Sequence, residues 1–258
     1  MSDQLSSSID VLDGALRDAA TPGHTRRALL ERVGVGAAGV TIGGLAAPAS
    51  GALAAGGHDS IRQFGVFAST SEALTVTLLT ELLRRVSLHP EVPAGVAVVF
   101  DGAYAAELDH WRFIHRFFRP QTKRFWIPDA VFGGSGNALD LTAVGNALVA
   151  GETLFVNTYL IGVTTFAAAG RSAFARYSAE IAGVEAEHRV LARTLINASP
   201  PNNVGFEPFR FNRVRQIQAA LEALGFGFGT QGTSAGQFYS FPRPPMPPPI
   251  PITSNVPR

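Results

Sequence analysis

The sequence contains no cysteine and has almost no net charge, and each absence excludes a class of function. Without cysteine, the 258-residue chain forms no disulfide, no thiolate metal site and no cysteine nucleophile. Its 21 Lys and Arg residues nearly balance 20 Asp and Glu residues, which argues against nucleic acid as a partner. The 46% hydrophobic content excludes a disordered polymer. Any chemistry must therefore come from carboxylates, six histidines, hydroxyl groups or a bound cofactor.

The first 54 residues have the pattern of an export signal. Arg26 and Arg27 precede an uncharged run over residues 33–54, and Ala52-Leu53-Ala54 provides a small-x-small cleavage site. An arginine pair in this position is typical of a twin-arginine signal. We predict export by this route to the periplasm, the cell wall or the outside, with no membrane span after cleavage. The alternative is a retained anchor, because the run is long enough to cross a bilayer as a helix.

The rest of the chain predicts four long helices and one short helix. Apolar, proline-free stretches cover residues 70–86, 94–118, 140–169, 172–197 and 212–224. Two helix pairs joined by a longer connection predict an all-α, antiparallel four-helix bundle over residues 55–230, with the short helix added at its C-terminal end. The Gly- and Pro-rich segment 231–258 is predicted to be an extended or disordered tail without core residues.

Two helices carry the same short motif, Glu-x-x-His, at Glu107–His110 and at Glu185–His188. Residues three apart lie on one helix face, about 5–6 Å apart at Cβ, so both can ligate one metal ion. Each motif touches an apolar seam, where an unpaired carboxylate would be costly to bury. We therefore predict a metal site formed by Glu107, His110, Glu185 and His188. The alternative is a buried Glu–His hydrogen bond without metal.

The chain resembles the ferritin-like domain family of exported bacterial proteins, which is related to desiccation-associated proteins. The resemblance rests on the two Glu-x-x-His motifs, the export signal, Ile161-Gly162-Val163 and Ala223-Leu224-Gly225-Phe226. The resemblance covers roughly residues 64–229 and implies a ferritin-like four-helix bundle. This fold does not fix a function.

A ferritin-like di-metal site needs one further carboxylate from each of the first and third helices. If the helix pairs fold about residue 91 and residues 170–171, the positions level with Glu107 and Glu185 are near residues 75 and 156, and Thr77 and Asn157 are predicted to replace the carboxylates there. Neither residue is a carboxylate. We therefore expect a degenerate site that holds at most about one metal ion per chain.

Three other glutamates are near these positions but are predicted to miss the site. Glu72 and Glu152 lie about one helical turn beyond the expected positions, farther from the turn that joins each helix pair. Glu81 lies about one helical turn on the other side, nearer to that turn. The segments that begin with Glu72 and Glu152 align at an offset of 80, close to the offset of 78 between the two motifs. The offsets predict an internal repeat of one helix pair.

Three functions are compatible with these patterns. The first is an exported structural or stress-associated protein with a degenerate metal site. The second is a di-iron or di-manganese oxidase or a catalase-like enzyme, since imidazole and carboxylate suit Fe or Mn. The third is a cell-surface module whose Pro-rich tail binds a protein partner. We expect no nucleotide, because Gly225–Gly229 follows a helix rather than a strand, which is the wrong context for a phosphate-binding loop. We also expect no haem. A homo-oligomer remains open.

Overall fold

The computed structural model describes residues 59–208, 210–243, 245–248 and 250–254. The predicted export signal at 1–54 lies outside these residues. The helices are α1 (Ile61–Ser87), α2 (Ala94–His115), α3 (Leu141–Ala168), α4 (Ser172–Leu195) and α5 (Val214–Ala223). The strands are β1 (Arg124–Pro128), β2 (Gly227–Phe228) and β3 (Gly236–Ser240), and a 3₁₀ turn covers Asp129–Phe132.

The four long helices enclose the main core. Helix α1 packs against α2 and α3, helix α4 packs against α3 and contacts α2, and α5 packs on α3 and α1. Large apolar side chains from each long helix fill the space between them, among them Phe64, Leu82, Leu108, Tyr159 and Ile181. The prediction of a mostly helical protein is therefore confirmed.

Helix α1 begins nine residues earlier than the predicted start at residue 70. Ser60 caps the helix: its hydroxyl accepts from the Gln63 backbone N–H at 3.1 Å, and the Gln63 side chain accepts from the Ser60 N–H at 2.8 Å. This reciprocal pair satisfies two backbone donors that a helix start leaves unpaired. Ser71, which also has the side chain of a capping residue, lies inside the helix and donates to the Ala68 carbonyl.

A small antiparallel sheet makes the all-α prediction incomplete. Strand β1 lies between β2 and β3, with Phe125 opposite both Phe228 and Tyr239. The prediction of a tail without core residues is wrong for residues 236–241, since β3 pairs along its whole length and Phe241 is buried. These strands have two to five residues, too few for a recognisable periodicity.

A buried arginine fastens the sheet and the α2–α3 connection to α1. The Arg85 side chain is fully buried; it donates to the Ala138 carbonyl at 2.6 Å and to the Tyr239 hydroxyl at 3.0 Å. Its Nε donates to Glu81 Oε1 at 2.8 Å, which pairs the buried charge. The last third of α1 is therefore held in place by residues far along the chain.

The described part of the Pro-rich segment lies against α2. The Tyr104 hydroxyl donates to the Met246 carbonyl at 2.9 Å, and Ile250 lies beside Gly102. A partner that bound this segment would have to compete with these contacts. The structure thus differs from the free tail that the interaction-module hypothesis requires.

In the part of the chain that the structure describes, two helices, α1 and α3, are long and apolar enough to cross a membrane. Within the protein, 78% of the most apolar window of α1 and 56% of that of α3 are buried. The core helices of globular proteins are also long, apolar and mostly buried. The two helices are therefore weak evidence for a membrane span. The absence of a span after signal cleavage stays a prediction.

Candidate metal centre

Six ionisable side chains from the four long helices converge in the interior. Helices α2 and α4 each contribute a Glu-x-x-His pair, and α1 and α3 each contribute one glutamate. The six residues, called the carboxylate–histidine cluster below, are Glu72, Glu107, His110, Glu152, Glu185 and His188.

The cluster divides into two overlapping groups of four residues. Ligand atoms of Glu72, Glu107, His110 and Glu185 lie within 4.8 Å of one another, and so do those of Glu107, Glu152, Glu185 and His188. Glu107 and Glu185 belong to both groups. Each group has one glutamate and one histidine of its own, so the cluster could hold two metal ions, with Glu107 and Glu185 available to both.

Each histidine faces carboxylates from a neighbouring helix as well as from its own. His110 Nδ1 lies 3.5 Å from Glu185 Oε1, 3.6 Å from Glu107 Oε2 and 3.8 Å from Glu72 Oε2. His188 Nδ1 lies 2.9 Å from Glu107 Oε1 and 3.5 Å from Glu185 Oε2. The four motif residues predicted from the sequence are thus brought together with their side chains facing one another.

These atoms are buried without hydrogen-bond partners. Eight of the twelve unpartnered buried side-chain atoms in the described part of the chain belong to the cluster, including both oxygens of Glu107 and Glu185 and Nδ1 of both histidines. The 2.9 Å approach of His188 to Glu107 is short, but its alignment is not that of a hydrogen bond. Native proteins leave few buried polar groups unpaired. Lone pairs directed at common points are the arrangement that a metal ion satisfies.

Two cluster glutamates have raised pKa values. Burial raises the pKa of Glu72 well above its usual range, and repulsion by Glu107 and Glu185 raises it further. Burial likewise raises the pKa of Glu152, and Glu185 adds to the effect. The raised pKa values favour the protonated forms of these two carboxyl groups, and a metal ion would displace those protons.

For both histidines and for Glu107, the pKa shifts in the direction opposite to the one that burial alone would cause. Burial favours neutral His110, but Glu107 and Glu185 outweigh it and raise its pKa to about 9. The pKa of His188 is raised for the same reason. Burial alone would raise the pKa of Glu107, but His110 and His188 hold that pKa well below its usual range. These shifts favour a protonated His110 beside an ionised Glu107.

The prediction that Thr77 and Asn157 occupy the carboxylate positions is wrong. The Thr77 hydroxyl donates to the Ala73 carbonyl within its own helix at 2.6 Å. Asn157 donates to Glu207 at 3.2 Å and accepts from the Arg210 backbone N–H at 3.1 Å, so it fastens the segment after α4. Glu72 and Glu152 supply the carboxylates instead.

Glu81 lies outside the cluster, as predicted from its position in the sequence. Its carboxylate accepts from Arg84 at 2.7 Å and from Arg85 at 2.8 Å. Burial raises the pKa of Glu81, but these arginines lower it overall. Glu81 therefore provides a buried glutamate on the same helix as Glu72 with a different, purely structural partner.

Tyr159 is a neighbour of the cluster that the sequence did not single out. Its hydroxyl donates to Glu72 Oε1, which leaves Oε2 of that carboxylate directed at the cluster. Burial raises the pKa of Tyr159 well above its usual value, with further effect from Glu72, so the proton stays on the hydroxyl. Tyr159 precedes the Ile161-Gly162-Val163 segment by two residues and lies about two turns beyond Glu152 on α3.

Comparisons of the chain with protein-family models, with curated proteins and with solved structures find no match. The ferritin-like resemblance is therefore not tested by any relative. Function must be argued from the chemistry of the cluster itself.

Proposed function

We propose that this protein is a ferritin-like four-helix bundle that binds two Fe or Mn ions and catalyses a redox reaction of dioxygen or peroxide. The observation that supports the proposal is the convergence of six buried side chains whose ligand atoms lack hydrogen-bond partners. This ligand set matches that of ferritin-like di-metal carboxylate proteins: one Glu from each of two helices and Glu-x-x-His from each of the other two.

The charge of the cluster favours two ions over one. Four glutamates carry up to four negative charges when they are ionised, and two divalent cations balance them. One ion would leave two carboxylate charges to be neutralised by protons in a buried site. The earlier expectation of one ion per chain depended on Thr77 and Asn157 replacing the further carboxylates, and that premise is wrong.

The donor atoms favour Fe or Mn over other metals. Two imidazole nitrogens exclude the all-oxygen environment that Ca²⁺ and Mg²⁺ prefer, and the absence of thiolate removes the ligand that selects Cu(I). Mixed carboxylate and imidazole ligands are those of non-haem iron and manganese sites. Bound metal would supply the electrons or the electron acceptor that no side chain of this cluster provides.

The protein residues have separate tasks in this proposal. Glu107 and Glu185 would contribute to holding both ions, whereas Glu72 with His110 and Glu152 with His188 would each contribute to one. Tyr159 orients Glu72 by its hydrogen bond. Five of the six cluster residues are at most 9% exposed, so most of the site is shielded from bulk water.

Metal content tests the proposal most directly. Elemental analysis should find two Fe or Mn ions per chain, and Glu72→Gln and Glu152→Gln should each reduce the content to about one. Glu187→Gln, at an exposed position of α4 outside the cluster, is the control and should keep two. A content of one or less in the unmodified protein, or full content in Glu72→Gln and Glu152→Gln, would refute the two-ion site.

Turnover is measured separately on the metal-loaded protein. Consumption of dioxygen with a supplied reductant, or disproportionation of two peroxide molecules to two waters and one dioxygen, should be lost in Glu107→Gln. Two bound ions without either reaction would reject the enzyme and favour the structural or stress-associated role, which otherwise stays an untested prediction.

Export is part of the same proposal: Arg26→Lys with Arg27→Lys should leave the chain inside the cell.

A further inference from the structure

A cavity of about 290 Å³ lies between the four long helices and has two cluster residues in its wall. Thirteen residues line it, and only Glu152, His188 and Thr194 among them carry a polar side chain. The other lining residues are glycine or apolar. The cavity therefore joins an apolar compartment to the half of the cluster formed by Glu152 and His188.

The cavity reaches from the surface into the core. Its lining includes Val99 and Leu191, which are 37% and 36% exposed, and also Leu79 and Phe100, which are 2% and 3% exposed. Gly95, also exposed, has open space where a Cβ would be. A small molecule can therefore enter from solvent and reach the metal ligands without passing through the packed core.

We propose that this cavity binds an uncharged, apolar small organic molecule against Glu152 and His188. Its volume is at the lower end of the ~300–1,000 Å³ of small-molecule sites, and it exceeds the ~150 Å³ apolar cavity that holds benzene. One ring or a short hydrocarbon chain fits these limits. That the molecule is the substrate of the metal centre rests on the proposed function, whereas its binding does not.

The lining selects against charge. A charged ligand would lose its hydration in a wall whose only ionisable groups are already directed at the cluster. An apolar ligand instead gains contact with aliphatic and aromatic side chains on every side. The competing occupant is a second copy of the chain that covers the exposed valines of α2, Val98 and Val99.

Toluene and N-methylpyridinium provide a probe pair that differs in charge but not in shape. Saturation-transfer NMR with the metal-loaded, full-length protein should detect bound toluene and little or no bound N-methylpyridinium. The metal content of each sample is measured in parallel. Two bound ions without toluene binding would refute the cavity proposal and leave the proposed function intact.

Substitutions on α2 locate the binding site. Ala103 lines the cavity and Ala106 does not, so Ala103→Phe should raise the Kd for toluene by about tenfold or more while Ala106→Phe leaves it unchanged. Val99→Trp, at the exposed end, and Val98→Trp, beside it but outside the lining, provide a second pair that leaves the core intact. Metal content should stay the same in all four variants.

Each result decides the proposal. Equal toluene binding in Ala103→Phe and Ala106→Phe would place the probe elsewhere and overturn the cavity proposal. If Ala103→Phe does not fold, equal binding in Val99→Trp and Val98→Trp would overturn it in the same way. A dimer that Val99→Trp dissociates, with no toluene bound in either state, would identify the cavity mouth as an interface instead. Loss of metal with retained toluene binding would contradict the proposed function alone.

Discussion

Tyr159 is the residue whose role in the cluster can be tested most cleanly. Its hydroxyl donates to Glu72, and partners that orient a metal ligand typically contribute 10- to 100-fold to metal affinity. Tyr159→Phe should therefore weaken metal binding by about 10- to 100-fold at the position completed by Glu72. Competition with a chelator of known affinity measures the loss.

The matched control for this substitution is Tyr177→Phe. The Tyr177 ring packs against Phe113 and Phe174, away from the cluster, so the loss of its hydroxyl should leave metal affinity unchanged. An equal loss in both variants would attribute the effect to general destabilisation. No loss in Tyr159→Phe would show that Glu72 is positioned by packing alone.

Protons and metal ions compete for the same atoms, which makes metal affinity depend on pH. His110, with a pKa of about 9, is protonated at neutral pH when no ion is bound, and His188 and Glu72 also have raised values. A metal ion must displace these protons, so affinity should rise with pH by about tenfold per unit for each proton displaced. The contribution of His110 should level off above its pKa.

Calorimetric titrations of the protein with Mn²⁺ in two buffers of different ionisation enthalpy measure the protons released. At least one proton per ion is expected at neutral pH, and fewer near pH 9. Affinity independent of pH, with no proton release, would mean that the histidines do not ligate the ion.

At the scale of the helix, close approach depends on a few glycines. A Cβ at Gly162 of α3 would lie 2.4 Å from the buried Phe64 ring of α1 and 2.9 Å from Ser178 of α4. Gly162→Ala should therefore destabilise the protein by about 1–3 kcal/mol through overpacking, despite the better helix propensity of alanine. Urea unfolding measures the change in free energy.

Gly151 lies on the same helix, and its replacement by alanine should change stability in the opposite direction. No heavy atom outside its immediate surroundings lies within 4 Å of a Cβ built there, so Gly151→Ala should stabilise the protein by up to about 1 kcal/mol. If Gly162→Ala were also stabilising, Phe64 would have to be free to move, and the three helices would not be in close contact at this point.

The sequence predicted the helices more accurately than the levels of their side chains. Long, proline-free stretches made the existence of α2, α3 and α4 clear, and the Glu-x-x-His spacing identified four cluster residues. Glu72 and Glu152 were missed because the missing carboxylates were expected at the same height along each helix pair as the motif glutamates, Glu107 and Glu185, and not at the height of the motif histidines. About the same turns, residue 72 is level with His110, and residue 152 nearly level with His188.

Other features depend on contacts between distant parts of the chain. Arg85 is fully buried because Ala138 and Tyr239 accept its hydrogen bonds, and no local pattern relates these residues. The strands around Phe125 are likewise fixed by pairing across more than 100 residues. The Glu72–Glu152 alignment was the one signal for the missing carboxylates, since an internal repeat relates residues with the same role.

At the scale of the whole molecule, the proposed metal site would make stability depend on metal. The folded-state pKa values of Glu72 and Glu152 are raised, so these carboxyl groups destabilise the metal-free fold at every pH above their unfolded-state values. A metal ion that bound only the folded chain would offset this penalty. At a free concentration 100 times Kd, each ion adds about 2.7 kcal/mol.

Differential scanning calorimetry of the purified chain should therefore give a Tm about 5–10 °C higher with saturating Mn²⁺ than with a chelator, for one ion alone. The double variant Glu72→Gln with Glu152→Gln should behave in the opposite way. Without metal it should melt above the unmodified protein, because neutral amides replace carboxyl groups whose burial is unfavourable; with metal its Tm should barely change. If the unmodified protein melts at one temperature with and without Mn²⁺, the six side chains do not form a metal site, and their burial must be stabilised by another partner.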